Sequence, residues 1–370
     1  MTTGIERRRL LQGGAAALSL LGLGACSSGD GRTSATSAGG TVDGAATAST
    51  AAATRPTPAA RPASTRATPA KGSSRVIVLG SHGGQQINQL TGAGDRAGSS
   101  LLIDVDGELT VIDSGCGSVH RLAEAGYDAN AVRNVFVTHC HADHVAETGS
   151  LASFVWSSGR NGGDPNRRLD LYGPTGMYDV EDGTKLALRR SIADQEGPLA
   201  QRPVFDEFAV WHEFEPPAEI TTLLDDPGLK VEALKVTHGQ LPAVGYRVTI
   251  PEGVIAISGD RGAGKDDFVE MVRGSDVLVH EVINRPLIEA GLRGKAAESF
   301  ISHLVEDHTD APDVGRLATE AGVEHLVLYH LIPANSNVVS DQAWVDLVRP
   351  TYDGRITVAH DLDTIVGAPT

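Results

Sequence analysis

A chain of 370 residues, 41% of them hydrophobic, is long enough to bury a sizeable core, and 31 Lys+Arg against 47 Asp+Glu give it a formal net charge of -16. That balance lacks the clustered basic surface that phosphate neutralisation needs, so nucleic acid is not expected as a partner. Three cysteines exclude a disulfide framework.

Residues 1–26 read as a targeting segment. Arg7, Arg8 and Arg9 precede Leu10, Leu11 and an apolar stretch too short and Gly-rich for a membrane span. The arginine run resembles a twin-arginine export signal, and Leu23-Gly24-Ala25-Cys26 resembles a bacterial lipobox. The pair implies cleavage before Cys26, lipidation of its sulfur, and an exported protein anchored at the outer face of the cytoplasmic membrane or in the periplasm. Residues 27–74 are Ala, Thr, Ser, Pro and Gly with almost no large apolar side chain, so burial cannot offset their ordering entropy and they are expected to be a disordered tether. With Cys26 committed to lipid, Cys116 and Cys140 remain, and one bridge between them is open.

Residues 75–370 read as one catalytic domain. Apolar runs of strand length lie at Arg75 to Leu79, Leu101 to Val105, Leu109 to Ile112 and Val135 to Thr138, the second and third joined by Asp106-Gly107 in hairpin fashion. A helix is expected over His120 to Ala125. Later strands are expected at Val231 to Val236, Tyr246 to Ile250, Val254 to Ser258, Val277 to Val279, Leu326 to Tyr329 and Ile356 to Ala359. Helices fit Lys265 to Arg273, Pro312 to Ala321 and Asp341 to Val348. Alternating strands and helices argue for an α/β layered fold. Residues 156–229 break this rhythm: polar and punctuated by Gly and Pro, with a helix near Leu186 to Asp194, they are expected to be an insertion that covers or borders the site.

The chemistry is concentrated after Val135 to Thr138, in His139-Cys140-His141-Ala142-Asp143-His144. In an extended loop His139 and His141 point the same way and Cys140 points off, so two imidazoles can take one metal while Asp143 and His144 follow the turn to a second. Imidazole and carboxylate without thiolate suit zinc, with iron or manganese as rivals.

His-x-His-x-Asp-His at a strand end resembles the signature of the metallo-β-lactamase superfamily. Val111-Ile112-Asp113-Ser114-Gly115 is similar to its Asp-x-Gly turn, Thr237-His238-Gly239 with Gly245-Tyr246-Arg247 to its third ligand motif, Ser258-Gly259-Asp260 to its bridging aspartate, and His330 to its last histidine. The likeness to ribonuclease Z and arylsulfatase-like members is particular, and it spans about residues 75 to 366. It implies an αββα sandwich of two mixed β-sheets flanked by helices. It further implies two divalent ions held by His139, His141 and His238 and by Asp143, His144 and His330, with Asp260 as the bridge. Catalytic roles fall to Asp143 and to His308, whose His308-Thr309 resembles a motif before the equivalent helix of ribonuclease Z-like proteins. His82, His280, Glu281 and His303 are candidates for supporting positions around the ligands.

Two ions lower the pKa of a water between them and hold both attacking and developing oxygens, which suits hydrolysis. Only 21 residues separate His238 from Asp260, too few for the long basic arm that ribonuclease Z enzymes commonly insert there. A small anionic ester, a phosphodiester or a sulfate ester, is therefore the expected substrate. β-Lactam or lactone hydrolysis is an alternative, and a non-catalytic metal- or ligand-binding lipoprotein is a second. A redox di-iron role fits less well, because His141 stands where such relatives usually carry Glu.

Overall fold

The computed structural model describes residues 72–85, 96–158, 167–196, 203–262, 267–291 and 295–367. The export segment, Cys26 and the tether up to residue 71 lie outside the described residues. No described helix is long and apolar enough to cross a membrane.

The chain forms strands β1 (Ser74–Gly80), β2 (Ser100–Val105) and β3 (Glu108–Ile112), helix α1 (Ser118–Glu124), β4 (Val132–Phe136), α2 (Ala142–Val145), α3 (Thr148–Ser158), β5 (Leu169–Pro174), α4 (Met177–Gln195), α5 (Phe205–Phe208) and β6 (Ala209–Phe214). There follow β7 (Thr221–Asp226), β8 (Leu229–Lys235), β9 (Val244–Ile250), β10 (Gly253–Ile257), α6 (Phe268–Val272), β11 (Val277–Ile283), α7 (Arg285–Gly291), α8 (Lys295–Asp307), α9 (Ala311–Ala321), β12 (His325–Ile332), α10 (Asp341–Val348), β13 (Arg355–Val358) and β14 (Thr364–Val366). The expected helix from Lys265 begins at Phe268 among the described residues.

Two seven-stranded sheets stack face to face, in the orders β14-β1-β2-β3-β4-β5-β6 and β13-β12-β11-β10-β9-β8-β7. Each is half antiparallel and half parallel: β3 to β6 pair in parallel in the first sheet, and β10 to β13 in the second. Alternate side chains of one strand serve two cores. In β1, Val76 and Val78 pack between the sheets with Phe136, Tyr246 and Val279, whereas Ile77 and Leu79 pack outward with Leu122 and Trp156. A third core joins the outer face of the second sheet to α6, α9 and α10 through Phe268, Val314 and Trp344. Strands buried on both faces read as unbroken apolar runs, which is why the sequence shows them so plainly. The result is the expected αββα sandwich.

Residues 156–229 require a correction. Their described residues do not form an insertion over the site: β5 and β6 continue the first sheet in parallel register, Leu171 pairing with Val135 and Trp211, β7 forms the edge of the second, and the helix expected near Leu186 to Asp194 is α4, Met177–Gln195. The segment looked irregular because Asp170, His212 and Glu213 interrupt its apolar strands. Asp170 is buried and offset by Arg168 and His212, so a charged residue occupies a strand that packing, not pattern, specifies.

Candidate metal centre

The candidate site residues meet where strands and the loops that leave them reach one edge of the sandwich. Strand β4 ends at Phe136, and Thr138 leaves the ladder to donate its backbone N–H to Asp113 Oδ1 at 2.7 Å. His139, His141, Asp143 and His144 follow on this loop and on α2. His238 lies in the connection between β8 and β9, and Asp260 just after β10. His330 lies inside β12, not at its end: Glu281 pairs with Tyr329 and Val282 with Leu331, so His330 is the extra residue of a bulge, with φ of 46°. Such a bulge re-aims one side chain without ending the strand. Backbone pairing of His82 with Leu331 and of Val244 N with Thr138 O joins the two sheets at this edge.

Two four-residue groups of donor atoms result, each within 4.8 Å: His139, His141, His238 and Asp260, and Asp143, His144, Asp260 and His330; Glu281 and His308 form a smaller third with His330. His139 Nε2 and His238 Nε2 lie 3.0 and 3.1 Å from His141 Nδ1. Two ligands of a tetrahedral zinc, with nitrogens at about 2.0–2.1 Å from the ion, stand roughly 3.3 Å apart, so these nitrogens are spaced as zinc ligands. In the second group His330 Nε2 is 3.3 Å from Asp143 Oδ2 and 3.2 Å from Asp260 Oδ2, and His144 Nε2 is 3.3 Å from Asp260 Oδ1. Asp260 Oδ1 and His144 Nε2 are buried with no hydrogen-bond partner. Polar atoms so placed are costly unless something else engages them, and a cation would.

The far nitrogen of each imidazole says which atom is offered. His139 Nδ1 lies 3.1 Å from Thr138 Oγ1, a hydroxyl that itself donates to Asp113 Oδ2 at 2.9 Å. His144 Nδ1 donates to Asp113 Oδ2 at 2.8 Å, and His238 Nδ1 donates to the Asp307 carbonyl at 2.8 Å. These contacts fix the tautomers and leave Nε2 of all three facing inward. Gly83 sits against the His330 ring, where a Cβ would come within 2.4 Å of Nδ1.

The charge balance points the same way. Burial lowers the pKa of His139 well below its ordinary value and that of His141 to about 4, keeping both neutral as ligands must be. Burial alone would raise Asp143 and Asp260, but the surrounding imidazoles outweigh it and hold both carboxyls ionised. Burial likewise opposes protonation of His144 and His330, yet the carboxylates win, lifting His144 well above its ordinary value and His330 to about 10. The buried carboxylates demand positive charge, and protons on His144 and His330 compete for it with divalent cations.

The model of the β-lactamase superfamily domain matches residues 111–331, more than half of the chain and every residue of both donor groups. The chain belongs to the β-lactamase superfamily. It is 26% identical over 272 residues to a ribonuclease Z of Mycobacterium bovis (strain BCG / Pasteur 1173P2), covering 73% of this chain and 92% of that protein. To a ribonuclease Z of Mycobacterium marinum it is 28% identical over 272 residues, with the same coverage. Among solved structures, the metallo-β-lactamase fold protein YhfI from Bacillus subtilis shares the fold with a TM-score of 0.57 at 21% identity, over 80% of this chain and 99% of that one. The short form of human tRNase Z gives 0.53 at 19% identity, over 78% and 98%.

Around the donor groups, this superfamily member arranges the remaining candidates unequally. His308 is buried at the end of α8, its ring stacked on His330 at 5.5 Å, with Nδ1 3.4 Å from Glu281 Oε2. Burial opposes its protonation, but Glu281 outweighs burial and raises its pKa. Glu281 is also fixed by the backbone N–H of Thr309 at 2.6 Å. His308 therefore does not cap α9, whose cap residue is Asp310. His280 points away, its Nδ1 bonded to the Glu281 carbonyl and its ring against Phe268. His82 is buried beside Asp143 and His330, and burial lowers its pKa to about 4. His303 lies in α8, and its side chain is outside the described residues. Cys116 and Cys140 are free thiols. Cys140 turns from the donors toward Gly176, as the alternation of the loop predicts.

Sequence reasoning missed the part played by Asp113. It was visible only as the Asp of a turn motif, whereas the structure makes it the acceptor for Thr138 N, Thr138 Oγ1 and His144 Nδ1, at a φ of 58°. An acid in the turn motif Val111-Ile112-Asp113-Ser114-Gly115, 26 positions before His139, was the signal available.

Proposed function

We propose that this protein is a two-metal hydrolase of a small phosphodiester, with a sulfate ester as the nearest alternative substrate. The carrying observation is Asp260, whose Oδ2 faces His139, His238 and His330 and whose Oδ1 faces His144, so that one carboxylate belongs to both donor groups. In this reading His139, His141 and His238 hold one ion, Asp143, His144 and His330 hold the other, and Asp260 holds both. Two divalent cations bound there, zinc in preference to manganese or iron, supply Lewis acidity and lower the pKa of the water they share.

The protein's own groups then handle position and protons. Asp143 is oriented by the backbone N–H of Gly84 at 2.8 Å, and His330 by its contacts with both aspartates. His308, whose Nδ1 lies 3.4 Å from Glu281 Oε2 and 3.9 Å from Asp260 Oδ2, donates the proton that the leaving oxygen needs. Similarity to ribonucleases, whose substrate bonds are phosphodiesters, favours phosphorus over sulfur. RNA itself is the second reading, on the same similarity. The formal charge of -16 and the short connection between β8 and β9 favour a small substrate instead.

Elemental analysis of protein purified without chelator, followed by a panel of chromogenic diester, sulfate, lactone and β-lactam substrates and an RNA oligonucleotide, tests the reading. About two ions per chain and turnover of the diester are expected. A stoichiometry near zero after metal supplementation refutes the two-metal site. Turnover of RNA alone, or of lactone or β-lactam alone, reassigns the substrate, and metal without any turnover supports a binding lipoprotein. Anchoring is proposed to run through a lipid on Cys26, so Cys26→Ser should move the protein to the soluble fraction or block its maturation. Unchanged membrane fractionation of that variant would refute it.

A further inference from the structure

A cavity of about 540 Å3 opens beside Asp143. Its volume is in the range of pockets that take a small molecule. It is continuous with the metal centre: Gly84, in its wall, bonds Asp143 Oδ2 through its backbone N–H at 2.8 Å, and His82 stands next to it. Part of that wall is small: Ala97, Gly98, Gly117, Ala142 and Ala146 present only methyl groups and backbone, which the face of a flat ring can meet, and the larger side chains of the lining are Gln85, Arg96, His120 and Arg121. His308 does not line this cavity. It reaches the cluster from the Glu281 side, against His238 and His330.

The two features divide the substrate. A general acid must stand next to the oxygen that departs, so His308 marks the side of the leaving group. The group that stays on phosphorus must point elsewhere, and the space beside Asp143 can receive it. We propose that this cavity binds the retained ester group of the substrate and that this group is a ring system of aryl or nucleoside size. The proposal rests on the hydrolase reading above and deepens it. Hydrolysis forms one P–O bond from water and breaks the P–O bond to the leaving group, which departs with a proton from His308. The other proton of the water returns the imidazole to its starting state, and the retained group leaves as its phosphomonoester.

Cys116, an exposed free thiol in the cavity wall, makes the proposal testable on the full metal-loaded protein. Two diesters share a leaving group and differ in what is retained: bis(4-nitrophenyl) phosphate and methyl 4-nitrophenyl phosphate. Attaching a benzylthio group to Cys116 with a methanethiosulfonate should lower kcat/KM at least about tenfold for the first and less than about twofold for the second, because only the first needs the filled space. Reduction with a phosphine should restore the rate, and Cys116→Ser should abolish the effect of the reagent. Equal losses on both diesters, or none, would overturn the proposal.

A second measurement does not depend on turnover. Phenylphosphonate should slow alkylation of Cys116 by iodoacetamide at least about fivefold at concentrations where methylphosphonate does not, since only the former places a ring in the cavity. Equal rates with the two phosphonates would overturn the proposal. If neither diester turns over while phenylphosphonate still protects Cys116, the hydrolase reading fails and the ring-binding cavity stands.

Discussion

Replacing Asp113 by Asn asks whether a carboxylate that touches no ion in the proposed site nevertheless sets its affinity. Asn keeps the size of the side chain and tolerates the left-handed backbone that position 113 adopts, with φ of 58°. What changes is acceptor capacity. Asp113 Oδ1 accepts Thr138 N–H at 2.7 Å, while Oδ2 accepts Thr138 Oγ1–H at 2.9 Å and His144 Nδ1–H at 2.8 Å. An amide has one oxygen, so whichever way it turns its NH2 meets one of these donors. A buried donor left without an acceptor costs about 1–3 kcal/mol, and the lost charge on the His144 bond adds to that, giving roughly 2–4 kcal/mol for the metal-free protein. His144 also loses the contact that fixes its tautomer, a change that typically weakens metal binding about 10- to 100-fold. Urea unfolding of chelator-treated protein reads the first quantity, and competition with a chromophoric chelator reads the second. Thr138→Val is the comparison: it removes the hydroxyl, and with it the contact to His139 Nδ1, but leaves the Asp113–His144 bond, so the loss of affinity in Asp113→Asn beyond that of Thr138→Val belongs to His144. An Asp113→Asn protein that unfolds at the wild-type urea concentration and binds metal within about twofold of wild type would refute the argument.

Three further outcomes are expected. Asp260→Ala should be the most damaging ligand change, with metal content falling by more than one ion per chain, because the lost carboxylate neutralises both cations; retention of two ions after dialysis would contradict the shared bridge. His308→Ala should keep its metals and lose about a hundred- to ten-thousand-fold in kcat on diesters with poor leaving groups, but far less on nitrophenyl esters; equal losses on both would deny it a proton-transfer role. His325, bonded to Thr357 Oγ1 at 2.9 Å away from the metal centre, has its pKa lowered by burial and by Arg355 to about 4. The unfolded chain, with the ordinary value of 6.5, binds the proton first, so stability should fall as pH drops from about 6.5 to 4. The loss is at most about 3 kcal/mol, and smaller to the extent that water reaches the ring. In chelator-treated protein His325→Gln should flatten that slope, and an unchanged slope would place the titration elsewhere.

Which residues could chelate was legible in the sequence, because ligand chemistry is local. Three histidines and an aspartate within six residues after an apolar run have little use in a fold except to hold metal, and the αββα architecture came with them through the resemblance they carry. The strands buried on both faces were equally plain, since continuous Val, Ile and Leu runs need no partner to be recognised. Strand ends were not. Reading β4 to Thr138 placed that residue in the ladder, whereas its backbone N–H is taken by a side chain from the turn after β3.

Only the tertiary structure decided the rest, because those features depend on partners distant in the chain. Strands β5 and β6, within residues 156–229, joined the first sheet once β4 offered β5 its free edge and Arg168 and His212 offset the buried Asp170, none of which a local pattern encodes. His330 looked like a strand-end residue, and only the slipped pairing of β11 with β12 turned it inward beside Asp143. Asp113 acquired its three donors, and His308 its partner Glu281, across 25 to 31 and 27 positions of sequence respectively. A sequence lists the groups able to bind a metal or move a proton. Which nitrogen each imidazole presents is set by the far-side contact of the ring, and for His144 and His238 that contact, to Asp113 and to the Asp307 carbonyl, exists only once segments 31 and 69 positions apart have folded together.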